Sequence, residues 1–258
     1  MKSPYPTDHL SMVALIPETK IPCLLLGLGL ALPTVVTWIY FDLLENSNPW
    51  LQKSAYAIGK GAQLGLLVFI WFTRLHPRRS SEDSTGRSSP FRSYWYGVSS
   101  GIGLSLLIAG AYYLLFLPNG WMESARQVAH DKLNGLASDS YFALIALTLF
   151  YSLVHSGFEE FYWRGFIYRG ILSYSTNYVA TLLSSLAFMA HHVIVLKSYF
   201  GWNALGTYLG SLSVAIGGII WCWLFQKTKS LAPGWISHAL VDATIFGIGF
   251  HLLFALPR

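Results

Sequence analysis

HSGFEEFYWRGFIYR, residues 155–169, decides how this chain is read. Two adjacent carboxylates and two arginines sit there, inside a segment that otherwise has the composition of a membrane span. A charged group near the bilayer centre costs roughly 2.5–3.5 kcal/mol on insertion scales, so such groups are usually paired, functional or both. On a helix Glu160 and Arg164 share a face four residues apart, acid before base, which is the favourable order. Glu159 points about 100° away from that pair. One carboxylate therefore has a local partner and the other has none, and chemistry is expected at Glu159.

The composition around this stretch sets the class. Of 258 residues 53% are apolar and 11% charged, where a soluble domain carries about 25% charged residues. Several apolar runs approach or exceed the roughly 20 residues that cross a bilayer. The expected fold is all-α, a polytopic bundle of about seven (seven or eight) transmembrane helices with the active site in the last four. The net charge of +5 reads as orientation charge rather than a nucleic-acid surface. Cys23 and Cys222 are far apart in apolar runs, so neither a disulfide framework nor a thiolate metal site follows from them.

Taken in order, residues 1–20 form an interfacial tail. Ile21–Phe41 reads as a retained anchor that Pro33 kinks, and Ala55–Thr73 as a second span carrying Lys60 and Gln63. Lys60 is expected to snorkel or to face the bundle interior. A basic, serine-rich loop occupies 74–93. Tyr94–Leu117 is a third span, with Gly97 and Gly101 spaced for close helix contact. Residues 119–140 have the pattern of an amphipathic surface segment. The remaining spans are Tyr141 to about Ile171, Thr176–Leu196, Trp202–Phe225 and Leu231–Leu256. The chain thus divides into an N-terminal membrane region, 1–140, and a catalytic membrane core, 141–258. Seven spans put eleven of the seventeen Lys and Arg residues on the N-terminal side, which places the N-terminus in the cytoplasm.

Three late spans carry ionisable residues at helical spacing. Glu159 lies one turn after His155, His192 one turn after Phe188, and Asp242 one turn after His238. Each set shares a helix face and can point into a common cavity. A carboxylate and an imidazole can activate water while neighbouring groups stabilise an oxyanion. The same donors could bind a divalent metal with one position open. His155, His191 and His251 need no more than interhelical hydrogen bonds to account for them.

The motifs Glu159-Glu160-Phe-Tyr-Trp-Arg164, Phe188-Met-Ala-His191-His192 and His238-Ala-Leu-Val-Asp242 resemble, in that order, those of the CPBP (Abi) intramembrane proteases, which include the type II CAAX prenyl endopeptidases. The resemblance covers roughly residues 141–250. It implies that Glu159 and His192 activate the hydrolytic water, that His238 and Asp242 line the oxyanion site, and that Glu160 and Arg164 shape the site. Position 242 is Asp where prenyl-processing members have Asn, and an ionised Asp cannot donate to an oxyanion. Spacing from Phe188 selects His192 over His191. No metal ligand is assigned, and the cofactor stays open between none and a divalent metal such as zinc.

The expected activity is that of an intramembrane endopeptidase acting on a membrane-associated protein or peptide, in a lipid bilayer and without nucleic acid. The alternative is a non-catalytic immunity or partner protein of the same family. A proton-coupled transporter is a third reading, disfavoured because no inverted repeat or broken-helix pair is seen.

Overall fold

The computed structural model describes residues 20–72, 89–135 and 141–255. The tail expected before residue 20, most of the loop expected at 74–93 and the end of the 119–140 segment lie outside them. Among the described residues all regular structure is helical. The helices are α1 (Cys23–Leu43), α2 (Pro49–Phe72), α3 (90–116), α4 (Glu123–Gly135), α5 (141–172), α6 (Asn177–Phe200), α7 (Leu205–Thr228) and α8 (Ala232–Ala255).

Five of these, α1, α3, α6, α7 and α8, are long and apolar enough to cross a membrane by length and composition. The two further spans expected, α2 and α5, are helices that are not among these five. α2 carries Gln52, Lys53, Lys60 and Gln63, and α5 carries two acids and two arginines. The molecular exterior is apolar, with Leu114 (82% exposed), Phe72 and Leu24 standing outward. A surface this apolar belongs against lipid, and the protein is an integral membrane protein.

The second half of α5 is the axis of the bundle. Tyr162, Trp163, Arg164, Phe166, Ile167 and Tyr168 are all buried, so this helix is enclosed over most of its circumference rather than on one stripe, with Phe161 on the open side. α1 docks on it through a proline. Pro33 lacks the N–H that would bond the carbonyl of Gly29 four residues back. That carbonyl accepts the Tyr162 hydroxyl at 2.7 Å instead. The expected kink residue thus creates the acceptor that joins α1 to α5, consistent with the need to satisfy every backbone group inside a membrane. Gly29 also lies flat on α5, where a Cβ would sit 2.6 Å from Phe166 Cε1.

α3 runs alongside α8 in the same direction. Gly97 meets Pro233 and Gly101 meets Ser237 and Leu240, as their spacing predicts. Ser100 Oγ donates to Ser237 Oγ at 3.2 Å, and Ser105 Oγ to the Leu240 carbonyl at 3.2 Å. α6 and α7 pack antiparallel, with Gly218 against Ser185 and Gly210 against Leu196. At the far ends of α1 and α6, Lys197 pairs with Asp42.

A Cβ at Gly97 would lie 2.6 Å from the Pro233 carbonyl oxygen, a backbone atom that cannot step aside. Gly97→Ala is therefore expected to force α3 and α8 apart and to cost about 1–3 kcal/mol. Gly103→Ala, with nothing within 4 Å, is the control. Thermal unfolding in one detergent should show a lowered midpoint for the first and not for the second.

Candidate active site

α5 is not a uniform helix. Its backbone widens to π-helical bonding over Phe150–His155 and Phe161–Tyr168, on either side of one α-helical turn, Ser156–Glu160. The Ser156 N–H, for example, donates five residues back to the Tyr151 carbonyl. Such widened turns are frequent at functional sites, and in this protein they also occur at Ile39–Leu43, Tyr112–Phe116 and His251–Ala255. The turn that the two in α5 bracket carries both glutamates.

Glu160 and Arg164 are each 1% exposed. Arg164 Nη1 donates to Glu160 Oε1 at 2.9 Å and Nη2 to the Gly218 carbonyl of α7 at 3.1 Å. The guanidinium lies 5.1 Å from the ring centres of both Phe188 and Trp221, close enough for cation–π attraction. Arg164 thereby joins α5, α6 and α7.

Glu159 faces a different environment. His155 Nε2 and His191 Nε2 lie 3.4 and 3.6 Å from its Oε1, and His238 Nε2 lies 3.6 Å from its Oε2. These separations exceed an ordinary direct N–H···O bond. The carboxylate is 6% exposed and has imidazoles from three helices around it.

His238 links the two acids. Its Nδ1 donates to Glu160 Oε1 at 3.1 Å, while Nε2 faces Glu159 and, at 3.7 Å, Asp242 Oδ1. The ring stacks on Trp221 at 3.9 Å and 16°, and Trp221 is itself fixed by a bond from Nε1 to Ser237 Oγ. A cleft of about 350 Å³ opens beside Glu160, lined by Gly157, Phe161, Leu231, Ala232 and Trp235.

The structure therefore brings Glu159, Glu160, Arg164, His238 and Asp242 into one cluster. Both candidate histidines of α6 join it. His192 Nδ1 bonds the Phe188 carbonyl at 2.9 Å. His191 lies parallel to Trp163, 3° between planes, and is the one whose Nε2 faces Glu159. Spacing from Phe188 pointed to His192 alone. His155, read from its four-residue offset as sharing a face with Glu159 but assigned no more than a hydrogen-bonding role, lies against that carboxylate; Trp221 and Gly218 carry no comparable signal in the sequence.

The donor set also fits a divalent cation. Glu159, His191 and His192 offer ligand atoms within 4.8 Å of one another, a carboxylate and two imidazoles of the type that zinc takes. His192 is already oriented through Nδ1, the usual support for a ligand that binds by Nε2.

Residues 141–244 match the family model described as Type II CAAX prenyl endopeptidase Rce1-like. No curated protein and no solved structure matches the chain.

Removing one partner of a buried ion pair typically costs about 3–5 kcal/mol, because the other charge stays buried. Arg164→Ala should therefore sharply reduce the yield of monodisperse protein and its thermal midpoint. Arg164→Lys should recover only part, since an ammonium lacks the fork that reaches both Glu160 and Gly218. Size-exclusion profiles with thermal unfolding of the two variants check this.

Proposed function

We propose, from the match of residues 141–244 to the family model described as Type II CAAX prenyl endopeptidase Rce1-like, that the protein is an intramembrane endopeptidase. Its substrate is a membrane-associated protein or peptide, and residues 141–258 form its catalytic region. The observation that carries this reading is Glu159, a buried carboxylate with three imidazole nitrogens 3.4–3.6 Å away.

In this mechanism a water sits between Glu159 and the imidazoles of α6, with His192 oriented by the Phe188 carbonyl. As the water oxygen attacks the scissile carbonyl carbon, its proton passes to Glu159. The carbonyl oxygen becomes an oxyanion facing Asp242 and His238 Nε2, which donates to it while the imidazole carries a proton on both nitrogens. A donor aimed at that developing charge is commonly worth a hundredfold or more in rate. Glu160 holds the His238 ring by accepting from Nδ1, and Arg164 balances the Glu160 charge. When the tetrahedral intermediate collapses, the C–N bond breaks and Glu159 returns the proton to the leaving nitrogen. Asp242 takes part as a donor when protonated, and otherwise steadies His238. A divalent cation held by Glu159, His191 and His192 would supply Lewis-acid activation of the water.

The test is cleavage in membranes. Tagged membrane tails and peptide precursors are co-expressed with wild type, Glu159→Gln and His192→Ala, with folding checked by thermal stability. Glu159→Gln is expected to lose at least about a hundredfold in cleavage rate, the usual contribution of a general base. Cleavage by a folded Glu159→Gln protein at the wild-type rate would sink the proposal. Asp242→Asn, which always offers a donor, is expected to retain more activity than Asp242→Ala when the two are assayed side by side.

A further inference from the structure

Lys60 lies outside the matched region and has no role in the mechanism above. It stands mid-helix in α2, eleven residues from Pro49 and twelve from Phe72. At 1.5 Å per residue either end is about 16–18 Å away, far beyond the reach of a lysine side chain, so snorkelling does not account for it. Tyr56, Lys60, Gln63, Leu67 and Ile70 follow a four-three-four-three spacing, one face of a helix. Gln63, Leu67 and Ile70 are buried. This stripe therefore faces the bundle interior, and Lys60 with it.

The helix register sets the depth of that face. Gly29 of α1 lies against Phe166 of α5, and Val36 of α1 lies against Gly59 of α2. The seven residues from Gly29 to Val36 rise about 10 Å. Seven residues back along antiparallel α5 from Phe166 is Glu159. Lys60, next to Gly59, thus lies near the depth of the proposed catalytic carboxylate.

The groups beside Lys60 are donors with little to donate to. Lys60 Nζ makes one long bond, 3.4 Å, to Gln63 Oε1 and lies over the Tyr56 ring at 5.6 Å. Gln63 is 2% exposed, and its Nε2 has no hydrogen-bond partner among the described residues. A buried donor without a partner typically costs about 1–3 kcal/mol. Glu159 is flanked by three histidines of its own. An ammonium and an amide N–H₂ facing the interior complement a group that is anionic and accepts only, which is a carboxylate.

We propose that Lys60 and Gln63 form a carboxylate-binding subsite next to Glu159, selecting membrane-associated substrates that carry a carboxylate close to the scissile bond. This rests on the hydrolase reading for its function, but not for its detection. A chain's C-terminus and an acidic side chain are the two sources of such a carboxylate.

The experiment uses three fluorescently labelled apolar peptides of one sequence. One ends in an α-carboxylate, one in an amide, and one in an amide with a glutamate two residues from the end. Binding to the purified full chain is read by anisotropy, and cleavage by mass spectrometry. Wild type is expected to bind one or both acidic peptides at least about tenfold more tightly than the plain amide, the scale of a charge-assisted hydrogen bond. Lys60→Met should erase that preference and Lys60→Arg restore part of it. A preference for the α-carboxylate alone identifies a C-terminal tail as the source, and equal preference for the glutamate peptide an acidic side chain. Equal affinity for all three peptides, or a preference that survives Lys60→Met, overturns the subsite. If Lys60→Met weakens all three alike, the residue is a structural counter-ion and the subsite is likewise overturned. Acid-selective binding without cleavage would count against the hydrolase and leave the subsite standing.

Discussion

The pair between Glu160 and Arg164 is the constraint on which the rest of this molecule depends. Both side chains are 1% exposed, in a bundle whose outer surface is apolar. Transfer of either charge alone into such a place costs far more than a single contact returns. The two are retained because each is used twice. Glu160 accepts from Arg164 and from His238. Arg164 reaches Glu160 and the Gly218 carbonyl, and lies between Phe188 and Trp221. Four helices are thereby held in one register by two neighbouring residues of α5.

That register separates the two adjacent acids. Glu160 points at a permanent cation and cannot act as a base without unpairing it. Glu159 points at imidazoles, which are able to gain and lose protons. Neighbours in sequence thus carry different duties because a helix turns them to different sides. His238 is the joint between them, with one ring nitrogen on each acid and its face on Trp221.

Much of this was legible in the sequence, and for definite reasons. The four-residue spacing of Glu160 and Arg164 depends only on helix geometry, and it identified Glu159 as the different carboxylate. Apolar runs located the long helices, five of which meet a strict span criterion. What could not be read was set by tertiary partners. The choice between His191 and His192 depends on which ring faces Glu159 across an interhelical gap, and both contribute. The widened backbone on either side of Ser156–Glu160 has no sequence signature. Pro33 was legible as a kink, but the Tyr162 hydroxyl that uses the carbonyl it frees is 129 positions away. Trp221 beneath His238 looks like any other apolar residue of a span.

Several buried polar atoms in this protein have no partner among the described residues: Gln63 Nε2, His191 Nδ1, Glu160 Oε2 and Arg164 Nε. Each raises the free energy of the native state by the solvation it has given up. A ligand that satisfies one of them binds the folded chain and has no equivalent site on the unfolded one, so its binding energy is added to folding stability. The unpaired atoms thus make the folded state a sensor of its own ligand. A melting curve recorded against a panel of compounds would report occupancy of these positions without an assay for any reaction.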